Sequence, residues 1–208
     1  MRYTGPKEKL SRRLGENLGL KAERSFSPKS AFFKKPYRPG AHGKGRRRAL
    51  SEFGAQLAEK QKIKIVYGLT ERQLEKYFDK AKRKKGITGN LLLSSLEKRL
   101  DSVIYKSGLA ASRTIARQLA SHGHFLVNGK KTTIPSYETK ENDIIAIKPS
   151  SRAKVIFAAV AERLKKHEAP SWFSVDKKNW EIKIISEPKT EDLPKNFDTS
   201  VIISYYSK

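Results

Sequence analysis

The chain has 208 residues, of which 45 are Lys or Arg and 21 are Asp or Glu, so its formal net charge is +24. A chain this basic repels itself unless a polyanion neutralises it, so we expect RNA, DNA or an anionic membrane surface as its partner. Membrane insertion is excluded, because apolar runs such as 91–93 and 144–147 are far shorter than the roughly 20 residues of a spanning helix. The basic start has no signal-peptide pattern, so we expect a cytoplasmic protein.

The sequence contains no cysteine. Disulfides, thiol nucleophiles and cysteine-based zinc sites are therefore excluded. Hydrophobic residues make up 37% of the chain, which is below the roughly 45–50% of an ordinary globular domain. We therefore expect one or two small domains, each with a core, and a segment that has none.

Residues 1–50 differ in character from the rest of the chain. They contain fifteen Lys or Arg and three Glu, so +12 of the net charge of +24 lies in this quarter. Closely spaced prolines and glycines interrupt any regular apolar pattern. The segment is either a disordered tail that aids solubility or an extended arm that becomes ordered on a phosphate backbone. The aromatic residues Phe26, Phe32, Phe33 and Tyr37 favour the arm, because RNA offers bases against which rings pack.

Three helices are predicted in the next part of the chain. Ser51 caps the first, and Thr70 and Gln73 have the capping-box spacing that begins the second. The third runs from about Asn90 to Gly108. Its apolar stripe, which repeats every four residues, consists of Leu92, Leu96, Leu100 and Ile104.

A compact α/β unit follows these helices. Ser112 caps a short helix that ends at Gly123, and residues 124–127 form a predicted strand. Asn128-Gly129 is the dipeptide that a type I′ hairpin turn prefers, because both central residues need a positive φ. A further strand at 144–147 completes a small sheet.

The last part of the chain mixes helix and strand patterns. A helix is predicted over 152–168, followed by strand-like pieces at 172–175 and 180–184 in which apolar and polar residues alternate. The apolar tail at 201–206 is predicted to pack on the helical part. The fold class is therefore α+β: a mostly helical domain, a small α/β domain with two helices and a hairpin-containing sheet, and a basic extended N-terminal arm.

Patterns for catalysis or metal binding are weak in this sequence. The four histidines are His42, His122, His124 and His167. None of their spacings is the i, i+4 spacing of a zinc-protease helix, and the glycines at 40–45 do not follow a strand as a nucleotide loop requires. Glu97 and Asp101 lie on a helix face rich in Lys and Arg, where ion pairing is the simpler account. We therefore predict no catalytic residue, no metal and no cofactor.

The basic residues give the main functional signal. Arg113 and Arg117 lie four apart on one helix face, and Arg99 lies on the preceding helix. Together with Lys130 and Lys131 after the hairpin turn, they would form one cationic surface for backbone phosphates. The alternative is that each is only a solvated surface charge. The predicted RNA-binding residues are Arg12, Arg13, Arg46, Arg47, Arg48, Arg72, Lys84, Lys85, Arg99, Arg113, Arg117, His122, His124, Asn128, Lys130, Lys131 and Arg152.

The distribution of these basic groups favours RNA over DNA. Sequence-specific DNA-binding proteins usually insert one helix into the major groove, often as dimers. Here the basic groups come from the arm, the helices and the hairpin alike, without a single reading element. Contacts scattered in this way suit a large folded RNA that is recognised by its shape.

Short motifs along the chain resemble the bacterial-type ribosomal protein S4 family. They are RYTGP at 2–6, PYRPGAHG at 36–43, YGLTERQ at 67–73, RLD at 99–101, SR at 112–113, ARQL at 116–119, HGH at 122–124, VNG at 127–129 and IPSY at 134–137. The resemblance covers essentially the whole chain. Its helix–helix–hairpin part resembles the small RNA-binding domain named after this family, which also occurs in some pseudouridine synthases.

The resemblance implies a fold and a role. It implies a helical domain (51–97 and 163–208) into which the small α/β RNA-binding domain (98–162) is inserted, preceded by the basic arm (1–50). It also implies early binding to the 5′ domain of small-subunit ribosomal RNA, nucleation of subunit assembly and an effect on decoding accuracy. The implied partners are that RNA, ribosomal protein S5, other small-subunit proteins and messenger RNA near the channel through which it enters.

One departure from the family pattern concerns zinc. Many members carry four N-terminal cysteines that bind zinc, and at the matching places this chain has Glu8, Ser11, Ser25 and Ser30. A carboxylate and three hydroxyls are poor tetrahedral zinc ligands compared with thiolates. The chain therefore resembles the zinc-free branch, in which packing and RNA must order the arm instead.

Two other functions remain open at this point. An RNA-modifying enzyme could use the same small domain for targeting, but it would need a separate catalytic domain, and detection of modified nucleosides would reveal it. A free ribosome-associated stress factor is the third possibility, and the long basic arm and the full-length resemblance disfavour it.

Overall fold

The computed structural model describes residues 3–46 and 49–207. The helices are α1 (Lys7–Leu14), α2 (Ala31–Lys34), α3 (Glu52–Val66), α4 (Glu71–Lys82), α5 (Thr88–Glu97), α6 (Leu100–Lys106), α7 (Arg113–Ser121), α8 (Pro149–Arg152), α9 (Val160–Lys166) and α10 (Thr199–Tyr206). The strands are β1 (Phe125–Val127), β2 (Lys130–Thr132), β3 (Ile144–Ile147), β4 (Phe173–Asp176) and β5 (Glu181–Ile184). Helices combined with one small antiparallel sheet confirm the predicted α+β class.

The chain divides into two compact units. Unit 1 consists of residues 1–89 and 195–208, and unit 2 consists of residues 90–194. The predicted boundaries at 97/98 and 162/163 stay predictions, and this division differs from them at its C-terminal end because the structure places residues 163–194 with the sheet. β5 pairs with β3 through Ile145 and Ile182, so this segment completes the sheet of unit 2.

Local sequence signals explain the long helices of unit 1. The hydroxyl of Ser51 accepts a hydrogen bond from the Gly54 N–H at 3.1 Å, which caps α3 as predicted. The predicted capping box begins α4, in which Gln73 Oε1 accepts from the Thr70 N–H at 3.1 Å. The apolar face of α4 is buried and consists of Leu74, Phe78 and Ala81. Both predicted helices are confirmed.

The apolar C-terminal tail packs on the helical unit, as predicted. It forms α10, whose first turn is capped by Asp198, because the carboxylate accepts from the N–H groups of Ser200 and Val201. The ring of Tyr206 stacks on Phe78 of α4 with 4.6 Å between ring centroids. Aromatic packing therefore joins the end of the chain to residues more than a hundred positions earlier.

The N-terminal segment is not extended over its described residues, which corrects the prediction. α1 and α2 are joined because Glu8 Oε2 accepts a hydrogen bond from the Ala31 N–H at 2.8 Å. Ser11, Ser25 and Ser30 are buried, and their hydroxyls accept from backbone N–H groups. Side chains at the four positions where many relatives have zinc-binding cysteines thus satisfy the backbone directly. The pattern was missed because each bond joins residues that lack any regular spacing.

The predicted third helix is broken into α5 and α6 at Arg99, which corrects the single helix expected over 90–108. Arg99 has an extended ψ of 140°, and its backbone forms an isolated antiparallel β-bridge with that of Glu138. The Leu100 N–H donates to the Tyr137 carbonyl at 2.8 Å. The apolar repeat continues through the break because residues on both sides of it are buried, so periodicity alone conceals it.

The sheet of unit 2 has the order β2-β1-β3-β5-β4, and every pair is antiparallel. Asn128 and Gly129 both have positive φ, at 50° and 78°, which confirms the predicted hairpin turn between β1 and β2. The strand-like pieces at the end of the chain become β4 and β5. Helix α7 begins at the predicted cap, where the Ser112 hydroxyl accepts from the Ile115 N–H at 3.3 Å.

The helix expected over 152–168 is replaced by α8, a short 3-10 turn (Val155–Phe157) and α9, which is a further correction. Lys154 has an extended ψ of 142° and ends α8. The break turns Phe157 inward, where it is fully buried and meets Phe125 of β1 edge to face with 6.4 Å between ring centroids. A core contact therefore overrides the local helix preference.

Candidate nucleic-acid interface

Unit 1 carries several exposed predicted RNA-binding residues. They are Arg13, Arg46, Arg72, Lys84 and Lys85. Arg12 differs from them, because its Nε donates to the carbonyls of Lys35 and Tyr37 at 2.9 and 3.0 Å. Its guanidinium also lies 5.0 Å from the Tyr37 ring centroid. Arg12 therefore holds the turn after α2 against α1. Arg47 and Arg48 lie outside the described residues.

A groove of about 400 Å³ lies along the C-terminal half of α4. Its lining residues are Lys76, Asp79, Lys80, Arg83 and Lys84. The sequence analysis included only Lys84 of this group. The missed cations lie at i, i+4 and i+7 from Lys76, and this helical spacing places them on one face. Four cations and one carboxylate give the groove a positive charge that suits a phosphate backbone.

Arg99 in unit 2 is not on the surface, so we withdraw it from the predicted interface. Its side chain is 1% exposed and donates to both carboxylate oxygens of Asp101, from Nε at 2.9 Å and from Nη2 at 2.6 Å. Asp101 therefore occupies the pair of guanidinium N–H donors that would otherwise bind a phosphate in bidentate fashion. The structure therefore uses Arg99 to hold the junction between α5 and α6.

Arg113 and Arg117 lie at the edge of the same ionic network. Arg113 Nη2 lies 3.0 Å from Oε1 of Glu97, which is fully buried, and the Arg113 guanidinium lies 4.7 Å from the ring centroid of Tyr105. Arg117 Nη1 lies 3.7 Å from Asp101 Oδ2. The two arginine side chains remain 20% and 21% exposed. Both therefore neutralise buried carboxylates while keeping one part of each guanidinium at the surface.

Two lysines of the hairpin are exposed, whereas the side-chain amide of Asn128 is hydrogen-bonded within the unit. Lys130 and Lys131 are exposed on β2, as the prediction requires. The amide of Asn128 is used inside the unit, because Nδ2 donates to Asp143 at 2.8 Å and Oδ1 accepts from the Ile144 N–H at 2.9 Å. Asn128 therefore stabilises the turn, and its predicted contact with sugar or base is not supported.

His122 and His124 lie beside further cations. The two rings are 6.1 Å apart between centroids, and His124 Nδ1 lies 2.9 Å from Ser151 Oγ. Burial, followed by repulsion from Lys154, His122 and Lys148, lowers the pKa of His124 below its ordinary value. The two lysines were missed because they lie 24 or more positions from His124 in sequence.

Part of the Arg152 guanidinium is hydrogen-bonded within unit 2. Its Nη2 donates to the Asn179 carbonyl at 2.8 Å and lies 4.0 Å from the Glu181 carboxylate. The side chain is 38% exposed, so one side remains available to solvent. Arg152 therefore connects the end of α8 to the hairpin between β4 and β5, and it stays a predicted RNA contact.

Within residues 3–46 and 49–207, no group of three or more His, Cys, Asp or Glu side chains is arranged to hold a metal ion. No helix in this described part of the chain is long and apolar enough to cross a bilayer.

Comparison with known proteins gives two family matches. Residues 2–97 match the family described as the ribosomal protein S4/S9 N-terminal domain, and residues 98–145 match the S4 domain. Full-length relatives include the small ribosomal subunit protein uS4 of Caldicellulosiruptor saccharolyticus and that of Halothermothrix orenii, both 45% identical over 207 residues. The small ribosomal subunit protein uS4A of Clostridium acetobutylicum is also 45% identical. Each alignment covers 100% of this chain and 99% of the relative.

Proposed function

The chain belongs to the ribosomal protein S4 family, a family of structural and not enzymatic proteins, and on that premise we propose that it binds small-subunit ribosomal RNA directly. The proposed binding site is a helical junction of the 5′ domain, where the protein nucleates assembly of the subunit. The relatives are named for the small ribosomal subunit, and we assign this chain to the same particle. Its proposed effect there is on translational accuracy, with ribosomal protein S5 and incoming messenger RNA as neighbours.

The observation that carries the proposal is the combination of a net charge of +24 with exposed cations on both units. Unit 1 offers Arg13, Arg46 and Arg72, and unit 2 offers Lys130 and Lys131. Each cation that neutralises a phosphate releases counterions, so the binding free energy depends on salt. Cations distributed over two units favour a folded RNA with several separated backbone segments over a single groove of DNA.

The comparisons do not favour the RNA-modifying enzyme. The two family matches together span residues 2–145, and neither describes a catalytic domain. The full-length relatives carry ribosomal names over the remaining residues as well. A structural role for the whole chain accounts for these matches without an additional activity.

The proposal is tested by binding of the purified chain to the isolated 5′ domain of small-subunit ribosomal RNA over a salt series. An unrelated RNA of equal length is the control. Both affinities should fall steeply with salt, because counterion release dominates nonspecific binding. The 5′ domain should keep an advantage of at least about a thousandfold at high salt, which is the lower end of the range for specific over nonspecific nucleic-acid complexes. Two coincident curves would overturn the proposal and leave only a nonspecific polyanion binder.

A further inference from the structure

The turn between α7 and β1 gathers cations around a glycine. Gly123 has a φ of +69°, and a Cβ at this position would stand 2.3 Å from Cε and 3.3 Å from Nζ of Lys131. The Lys131 side chain therefore passes directly over Gly123. His122 and His124 flank the glycine, so the Lys131 ammonium lies beside the turn that carries both imidazoles. A glycine is favoured here because the backbone has a left-handed conformation.

Two more lysines lie on elements that contact the same turn. The Lys148 N–H, at the end of β3, donates to the His124 carbonyl at 2.9 Å. Lys154 lies at the start of the 3-10 turn, whose Phe157 ring meets the His124 ring edge to face with 5.8 Å between centroids. The charges of both lysines and of His122 act on His124 with the same sign. Such a concentration of positive charge is unfavourable in the free protein and is relieved when an anion binds.

We propose that His122, His124, Lys131, Lys148 and Lys154 form a binding site for one RNA backbone phosphate, and that His124 takes up a proton when the phosphate binds. We call this group the histidine–lysine site. The inference rests on the proposed RNA-binding function and deepens it, because it makes RNA affinity depend on pH through a single side chain.

The contact with Ser151 allows His124 to change its protonation state without losing a hydrogen bond. Ser151 is buried, and its hydroxyl lies 2.9 Å from His124 Nδ1. A hydroxyl can donate to a neutral imidazole nitrogen or accept from a protonated one. Protonation therefore costs no buried polar contact at this position, and the ring keeps its orientation in both states.

The direction of the pH effect follows from the charges. In the free protein, burial together with Lys154, His122 and Lys148 lowers the pKa of His124. A bound phosphate stabilises the protonated ring, so it raises this pKa. By linkage, a ligand that raises a pKa binds more tightly as the pH falls through the interval between the free and bound values. For a rise of about one unit, the affinity gain approaches tenfold.

The first test measures RNA affinity of the full chain at pH 7.5, 6.5 and 5.5 (about two units around the ordinary histidine value) at constant ionic strength. Wild type should bind about threefold to tenfold more tightly at the lowest pH. His124→Gln should lose most of this gain and keep its affinity at the highest pH within about twofold. His42→Gln, which alters an exposed histidine of unit 1, should retain the wild-type dependence. An unchanged pH dependence in a folded His124→Gln variant would overturn the inference.

A second measurement needs no RNA and no folded His124 variant. The pKa of His124 in the wild-type chain is followed by NMR with and without inorganic phosphate. We expect phosphate to raise it, and we expect Lys148→Gln combined with Lys154→Gln to raise it in the phosphate-free protein and to weaken the phosphate response. A merely structural His124 would show no rise with phosphate, and that result would overturn the site.

The two proposals fail in different ways. If both RNAs bind equally but share the His124-dependent pH effect, the histidine–lysine site stands and the 5′ domain assignment fails. If the 5′ domain RNA is preferred at every pH with no contribution from His124, the assignment stands and the site fails.

Discussion

Arg99 shows why a basic residue cannot be assigned to an RNA surface from its charge and spacing alone. The sequence places it directly after Lys98 in a predicted helix, yet its guanidinium is buried in a bidentate pair with Asp101. A buried arginine needs such a partner, because the desolvation cost of one unpaired ion is several kcal/mol. The RLD motif at 99–101, which begins with Arg99, therefore serves the junction between α5 and α6 and not the interface.

Replacement of Arg99 by Ala tests this distinction. The change leaves the Asp101 carboxylate buried with only the more distant Arg117, so we expect a loss of about 3–5 kcal/mol in the free energy of unfolding. RNA affinity per folded molecule should stay within about twofold, measured beside urea denaturation curves. The exposed Arg13→Ala should change stability by less than about 0.5 kcal/mol. A variant of wild-type stability with weakened RNA binding would return Arg99 to the interface.

The two hairpins of unit 2 offer a matched test of the surface lysines. Lys130 and Lys131 follow the β1–β2 turn, whereas Lys177 and Lys178 are equally exposed in the β4–β5 turn. Replacing Lys130 and Lys131 with Ala should weaken binding to the 5′ domain RNA about tenfold and reduce the salt slope by about 1.8. Replacing Lys177 and Lys178 removes the same charge and should have a much smaller effect. Equal losses in a salt series would mean that only net charge matters.

At the scale of elements, helices and turns with local signals were predicted and the others were not. The Thr70–Gln73 capping box, the Ser112 cap and the Asn128-Gly129 turn each act within four residues, and all three are confirmed. The break at Arg99 depends on carbonyl and N–H partners near Tyr137, almost forty positions away. No local sequence pattern predicts these backbone hydrogen bonds between distant segments. The N-terminal helices were missed for the same reason, since Glu8 meets Ala31.

The attachment of α10 depends on one buried lysine. Lys60 is 5% exposed, and its Nζ lies 3.0 Å from Tyr205 Oη and 2.8 Å from Glu71 Oε1. We expect Lys60→Met to lower the free energy of unfolding by about 1.5–3 kcal/mol, because it removes the charge-assisted hydrogen bonds to Glu71 and Tyr205. Thermal and urea denaturation measure the effect. Lys82→Met, at an exposed position, serves as the control, and an equal loss there would contradict the assignment.

The stability contributed by the Lys60–Glu71 contact depends on pH, because the Glu71 carboxyl titrates. Burial opposes ionisation of Glu71, but hydrogen bonds from Lys60 and Lys64 outweigh it and lower the pKa of the carboxyl. A lowered folded-state pKa stabilises the fold above the unfolded pKa, and this contribution is lost as the pH falls through the folded value. Stability should therefore decline below about pH 4.5, and less so in Glu71→Gln. Denaturation at several pH values measures this, with Glu75→Gln as control; parallel curves for wild type and Glu71→Gln would refute it.

At the scale of the whole molecule, composition predicted a polyanion as the partner, and the resemblance predicted that the small α/β domain is inserted into the helical one. The positions of the boundaries between the two units depend on how the strands pair in the sheet. The alternation in 172–175 and 180–184 indicates strands, but it does not say which strands they join. Pairing of Ile145 with Ile182 places β5 beside β3, and β4 pairs with the other edge of β5. Unit 2 therefore consists of residues 90–194, and the segment that carries β4 and β5 belongs to it.

Two fragments distinguish the predicted boundaries from those of the structure. A fragment of residues 90–194 should fold alone, whereas residues 98–162 should not, because the shorter piece leaves β3 without β5 and removes part of the core. Five side chains at about 1.5–3 kcal/mol each contribute an amount comparable with the roughly 5–15 kcal/mol that stabilises a domain. Amide dispersion in NMR spectra and a cooperative melt by circular dichroism report folding. A cooperative melt of the 98–162 fragment would restore the predicted boundaries and make β4 and β5 an accessory to the sheet. The core residues that this fragment lacks are Leu164, Trp172, Phe173, Ile182 and Ile184.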